Sequence, residues 1–192
     1  MTPFKHLFAG LLCVLLTMTG VGSAGAHGLA ENRATLVLRD QNHLSVALFI
    51  TFSEALHRVL APDRSFQEFV LAHAAMPPEV FKSALLEAER RFQAETLAET
   101  ADGDQLLFER WTWPDAATVQ QALRERAMQA LVAPTDHAHE AAFEVRADCQ
   151  AAKAIHSVRV SFPSAFARVL VVSYQPKQVW VEPQRASPEI TF

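Results

Sequence analysis

The stretch from His43 to Phe52 limits the fold of this chain more than any other. Leu44, Val46, Leu48, Ile50 and Phe52 alternate there with His43, Ser45, Ala47, Phe49 and Thr51. Successive side chains of a strand point to opposite faces. A period of two therefore predicts a strand with one buried apolar face and one mixed face. Just before it, the run from Arg33 to Arg39 is apolar and β-branched, and Asp40-Gln41-Asn42 has turn chemistry. Together these predict a β-hairpin.

The middle of the chain changes period. Ser53 is placed to cap a short helix running to about Leu60, stopped by Pro62. Ser65 and Glu68 have the spacing of a capping box, in which hydroxyl and carboxylate each satisfy an orphan amide. That helix is expected to run to about Ala75, before Pro77-Pro78. The next helix carries Phe81, Ala84, Leu85, Ala88 and Phe92 on one face, with Lys82, Glu87, Glu89 and Arg90 mostly elsewhere. From Thr96 to Trp113 a second hairpin is expected around Ala101-Asp-Gly-Asp104, with Leu106, Phe108, Trp111 and Trp113 in its second strand. Asp115 can cap a helix to about Ala133.

The last third returns to strands. Phe143, Val145, Ala147 and Cys149 alternate with polar residues, as do Val158, Val160 and Phe162. Arg168 to Tyr174 reads as a continuous apolar strand, and 178–182 as a short partner beyond the Gln175-Pro176 turn. Segregated runs of strands and helices predict an α+β fold. We expect a mainly antiparallel sheet or sandwich-like core, with two to four helices inserted mid-chain. No linker divides the chain, so one domain is expected over 27–192, frayed after about residue 183.

The first 26 residues have the three parts of an export signal. Lys5 and His6 are basic, Phe8 to Val21 is apolar, and Ala24 and Ala26 are small residues placed for cleavage. The apolar run is short and interrupted by Gly and Thr, unlike a permanent span of roughly 20 apolar residues. Cys13 follows Leu11-Leu12, without the small residue that precedes a lipidated cysteine. The expected product is periplasmic or secreted, with no membrane span after cleavage. Its charge would be −5, from 16 basic and 21 acidic residues with histidines neutral. No basic face emerges to neutralise phosphates, which argues against a nucleic-acid partner. Cys149 would be the lone remaining thiol. Its parity with Val145 and Ala147 points inward, where a thiol is inert.

Motifs of phosphate loops, nucleophile elbows and zinc proteases are missing from the sequence. Histidine carries the remaining chemistry. Cleavage after Ala26 would leave His27 with a free amine beside its ring, a nitrogen pair suited to Cu(II) or Ni(II). Asp136-His137-Ala-His139-Glu140 packs two imidazoles and two carboxylates into five residues. In extended chain His137 and His139 project to one side. A solvated loop has the same composition. His57 and His73 fall on helices and read as surface or core residues. His43 reads as outer-face, and His156 as half-buried. Trp111 and Trp113 share a face, and an exposed aromatic pair suits a sugar or peptide. The area each ring buries argues for core packing instead.

The stretch from Ala26-His27-Gly28 through Asn32-Arg-Ala-Thr-Leu-Val-Leu-Arg-Asp40, followed by the alternating strand, resembles a known family. It is similar to the exported N-terminal region of HupE/UreJ-type hydrogenase and urease accessory membrane proteins, over about 25 residues. The chain departs from that family in having no following block of transmembrane helices. The resemblance implies a metal-associated accessory domain handling nickel or copper. A terminal His also resembles the histidine brace of copper enzymes such as lytic polysaccharide monooxygenases, a match that ends after His27-Gly28. The expected function is therefore an exported accessory or binding protein rather than an enzyme. It would hold a divalent metal through His27, His137 and His139, assisted by Asp136 or Glu140, and would meet an envelope or membrane protein partner. The alternatives are a metal-free adaptor of an envelope complex and an exported hydrolase without a recognisable motif.

Overall fold

The computed structural model describes residues 32–132 and 142–177. Residues 1–26, His27, the cluster from Asp136 to Glu140 and the segment 178–182 lie outside the described residues.

β1 (Asn32–Arg39) and β2 (His43–Ile50) form the expected hairpin. Arg33 lies opposite Phe49 and Arg39 opposite His43. Asp40 and Gln41 both adopt positive φ, 48° and 62°. Two such residues in succession make the mirror-image turn whose twist suits a hairpin. Asp tolerates this conformation and Gln does so less readily. Outside contacts hold the turn in place. The Ile155 N–H donates to the Gln41 carbonyl at 2.6 Å, and the Ala151 N–H to that of Asn42 at 2.8 Å.

The strand ends two residues earlier than the alternation suggests, at Ile50. Phe52 is the first residue of α1 (Phe52–Leu60), whose N-cap is Thr51 rather than Ser53. Ser53 is instead buried in the first turn. Thr51 makes no side-chain cap; its N–H donates to Asn32 Oδ1 at 2.8 Å. Asn32 Nδ2 in turn donates to the Phe166 carbonyl at 2.6 Å. One amide thus ties the first strand to the strand–helix junction and to a late turn. That connection is not visible in local sequence.

The other helix starts follow the sequence. α2 (Phe66–Ala74) carries the Ser65–Glu68 capping box, with both reciprocal bonds made. α3 (Pro78–Glu95) has its proline in the first turn, where a missing N–H costs nothing. It buries Phe81, Leu85, Ala88 and Phe92 as expected, and Glu89 with them. α4 (Ala116–Val132) starts on Asp115, whose Oδ1 accepts the Thr118 N–H at 2.9 Å. Buried Gln120 holds α4 to the end of α2. Its Nε2 donates to the carbonyls of His73 (3.2 Å) and Met76 (2.8 Å), groups a helix end leaves without intrahelical partners.

The second hairpin is shorter than expected. β3 (Leu97–Thr100) pairs with β4 (Gln105–Leu106) around Gly103, whose φ is 85°. The chain then switches sheets. β5 (Glu109–Thr112) pairs with β6 (Phe143–Gln150), through an irregular register in which Arg110 takes φ 49°. β7 (Val158–Ser161) pairs with β3, and β8 (Val169–Tyr174) runs parallel to β1.

The sheet orders are β5-β6-β2-β1-β8 and β4-β3-β7. Every pair except β1–β8 is antiparallel. The described residues thus form a mixed α+β fold with antiparallel-rich sheets and its helices mid-chain. Ala34, Leu36, Leu44, Val46, Leu48, Ile50, Val145, Ala147 and Cys149 line the inner face of the five-stranded sheet. They share one core with Leu56, Phe69, Phe81, Phe92 and Leu123 of the helices. Each fully buried side chain of this size stabilises the fold by roughly 1.5–3 kcal/mol.

Candidate functional site

The opposite face of the five-stranded sheet has no helix on it among the described residues. Its composition follows from strand register, because directly paired residues point to the same side. One row across the sheet reads Val172, Thr35, Ala47, Arg146 and Thr112. The next reads Tyr174, Val37, Ser45, Asp148 and Glu109. A third has Leu170, Arg33, Phe49 and Glu144. Small side chains (Thr35, Val37, Ser45 and Ala47) make the floor, and longer ones make the rim. The result is an open concavity of about 690 Å³.

Charge is distributed unevenly over this face. Arg146 grips Glu144 with two bonds of 2.9 Å, which raises the guanidinium pKa. Asp148 Oδ1 accepts from Ser45 Oγ at 2.7 Å and from His43 Nε2 at 3.1 Å, and Arg110 lies 3.9 Å from Oδ2. The Ser45 bond, then His43 and Arg110, hold the Asp148 carboxyl below its usual range. Arg33 sits over the Phe49 ring, 4.4 Å from its centre. Neither Arg33 nor Arg39 has a carboxylate partner among the described residues.

Ser45, His43 and Asp148 do not make a nucleophilic relay. Activating a serine requires the imidazole to take the hydroxyl proton while the carboxylate orients the imidazole. Here hydroxyl and imidazole both turn to the carboxylate, so nothing withdraws the Ser45 proton. The arrangement fixes three side chains on the surface and presents no reactive group.

The remaining candidates separate as follows. Cys149 is buried, and that burial pushes its thiol pKa up, as an inert thiol requires. His43 lies on the outer face, as its parity implies. His73 is buried against Phe69, its Nδ1–H donating to the Phe69 carbonyl at 2.8 Å. His57 caps a turn through the Arg64 carbonyl at 2.7 Å. His156 is exposed rather than half-buried, because β7 begins only at Val158 and strand parity does not reach back to it. Trp111 and Trp113 stack at 5.5 Å and pack against the core, which settles them as packing residues. A second concavity of about 450 Å³ holds Asp102, Asp104 and Glu109, with Asp104 already paired to Lys153 at 3.1 Å. Among the described residues, no group of three His, Cys, Asp or Glu side chains is placed to hold a metal ion. His27, Asp136, His137, His139 and Glu140 lie outside them.

Alternation in the sequence assigns the mixed face of β2, but not its neighbours. Only register shows that Arg33, Glu144, Arg146, Asp148 and Tyr174 gather around it. No family model, no curated protein and no solved structure matches the chain. Among the described residues no helix is long and apolar enough to cross a membrane.

Proposed function

We propose that this chain is an exported accessory protein that binds a partner, and that the outer face of the five-stranded sheet is its binding surface. The observation that carries the reading is the contrast between the two faces. One is sealed by helices, and the other is concave and, among the described residues, carries no helix and is rimmed by Arg33 and Arg39, which have no carboxylate partner there. Concave surfaces with a few convergent polar groups are the usual sites of recognition. The partner is an envelope protein, in keeping with the export signal. A divalent transition metal, copper or nickel, held by His27 with His137 and His139, belongs to the same accessory role.

The test is site-specific photo-crosslinking in cells that export the chain. A photoreactive residue replaces Ala47 on the outer face, with Leu86, exposed on α3, as the control position. A discrete adduct is expected from position 47 and not from 86. Arg33→Glu with Arg39→Glu should remove it while leaving thermal stability unchanged. Equal labelling from both positions, or an adduct indifferent to the two charge reversals, would refute the assignment.

A further inference from the structure

The free charge of the outer face lies along one strand. Arg33 and Arg39 both project from this side of β1, and both are exposed without a carboxylate partner among the described residues. Six residues at about 3.3 Å each set them roughly 20 Å apart. Thr35 and Val37 lie half-buried between them. The neighbouring charges are engaged with one another: Arg146 with Glu144, and Asp148 with Ser45 and His43. Glu109 stands three strands away on β5. Arg33 is steadied over the Phe49 ring, which leaves its N–H donors available to a carboxylate. The face therefore presents two cations at the ends of a lane of small side chains.

We propose, resting on the reading of this face as a partner surface, that the partner lays an amphipathic helix along β1 and pairs two of its carboxylates, about 14 residues apart, with Arg33 and Arg39. Backbone chemistry favours a helix over an extended segment. β1, β2 and β6 are each paired on both sides, so the face offers a visitor side chains and no free backbone groups. An extended segment on this floor would leave many of its own N–H and C=O groups away from water and without partners. A helix closes those bonds within itself. The width agrees. β8 and β6, which carry Tyr174 on one side and Arg146 on the other, are three strand spacings apart, about 14 Å. A helix with its side chains is roughly 10–12 Å across. The charge spacing agrees as well. Fourteen residues rise about 21 Å and fall just short of four full turns, so both acids lie on one stripe. A small dianion cannot reach both arginines at once.

Photo-crosslinking in cells that export the chain tests it, with the labelled partner residues located by mass spectrometry. The photoreactive residue p-benzoylphenylalanine replaces Leu170, Ala47 and Tyr174 in turn, positions in three successive rows of the face. From Leu170 to Tyr174 is about 13 Å along the strand. A helix places the partner residues labelled from these two positions about nine apart, with those labelled from position 47 between them. An extended segment places them about four apart. The labelled segment, made as a synthetic peptide, is then titrated into the purified chain. Replacing its two spaced acids with Gln should weaken binding about tenfold or more, as should Arg33→Glu with Arg39→Glu. Replacing the acids with Lys should restore binding to the doubly reversed chain. No discrete adduct from any of the three positions overturns the partner reading and the helix with it. Labelled residues about four apart, a segment without acids so spaced, or acids neutralised without loss of binding overturn the helix alone and leave the partner surface standing.

Discussion

Glu89 offers the sharpest test of the packing described above. It lies on the buried strip of α3, four residues after Leu85 and three before Phe92, and is only 8% exposed. Burial raises its pKa from an ordinary 4.5 to about 7. Among the described residues no cation is set against it to offset the loss of water. The sign of the consequence follows from proton counting. Below pH 4.5 the carboxyl is protonated in both folded and unfolded chains, and it does not make stability depend on pH. Between pH 4.5 and 7 the folded chain keeps a proton that the unfolded chain has lost, so stability falls as pH rises. Above pH 7 the full penalty is present. At about 1.36 kcal/mol per pH unit, the rise corresponds to about 3 kcal/mol.

Glu89→Gln keeps the shape and cannot ionise. At pH 8 it should stabilise the chain by up to about 3 kcal/mol, or roughly 6–12 °C in Tm for a domain of this size. At pH 4 the two proteins should unfold together. Urea unfolding at both pH values, followed by tryptophan fluorescence, measures the difference. A variant less stable than the parent at pH 8, or one shifted equally at both pH values, would show that Glu89 reaches water when ionised. The assignment of α3's buried strip would then fail at that position.

Two further outcomes follow from packing and from the histidine chemistry. Phe92→Ala empties a site between Trp113 and Phe166, whose ring centres lie 6.2 and 4.8 Å away, and should cost about 3–5 kcal/mol in chemical denaturation. Titration of the untagged chain beginning at His27 with Cu(II), Ni(II) and Zn(II) by calorimetry should show binding that His27→Ala weakens at least about tenfold, the cost of losing one ligand from a multidentate site. Binding no tighter than about millimolar, or affinity unchanged in His27→Ala, would end the metal reading.

Local chemistry was legible in the sequence, and long-range choices were not. The Ser65 box, the Asp115 cap and the β1–β2 hairpin depend on residues a few positions apart, and each appears as expected. Glu89 was geometrically readable, since its spacing places it on the apolar strip. The general preference of carboxylates for water argued the other way, and tertiary packing prevailed. The change of sheet after β4 turns on the backbone of Arg110, and no residue type announces a positive φ there. The choice of β1 as the parallel neighbour of β8 is likewise a contest between distant segments. The candidate face shows both regimes. Its β2 residues were assigned by alternation, while Arg146, Asp148 and Tyr174 joined them only through register.

The bareness of the outer face has a topological cause. All four α-helices of the described residues lie between β2 and β6, which are adjacent antiparallel strands in the sheet. α1 begins two residues after β2 ends, at Phe52 after Ile50, with no loop long enough to carry it around the sheet edge. It must therefore fall on the side to which Leu44, Val46, Leu48 and Ile50 point, and the helices packed with it follow. The same connection leaves Thr35, Ser45, Ala47 and Phe49 uncovered. Of these, Ser45 bonds Asp148 and Phe49 lies under Arg33, whereas conservative substitutions at Thr35 and Ala47 should change stability by no more than about 0.5 kcal/mol. Binding and folding can thus be perturbed independently on this sheet. A loss of partner contact after changes at Arg33, Arg39 or Ala47 reports on the face itself rather than on the fold beneath it.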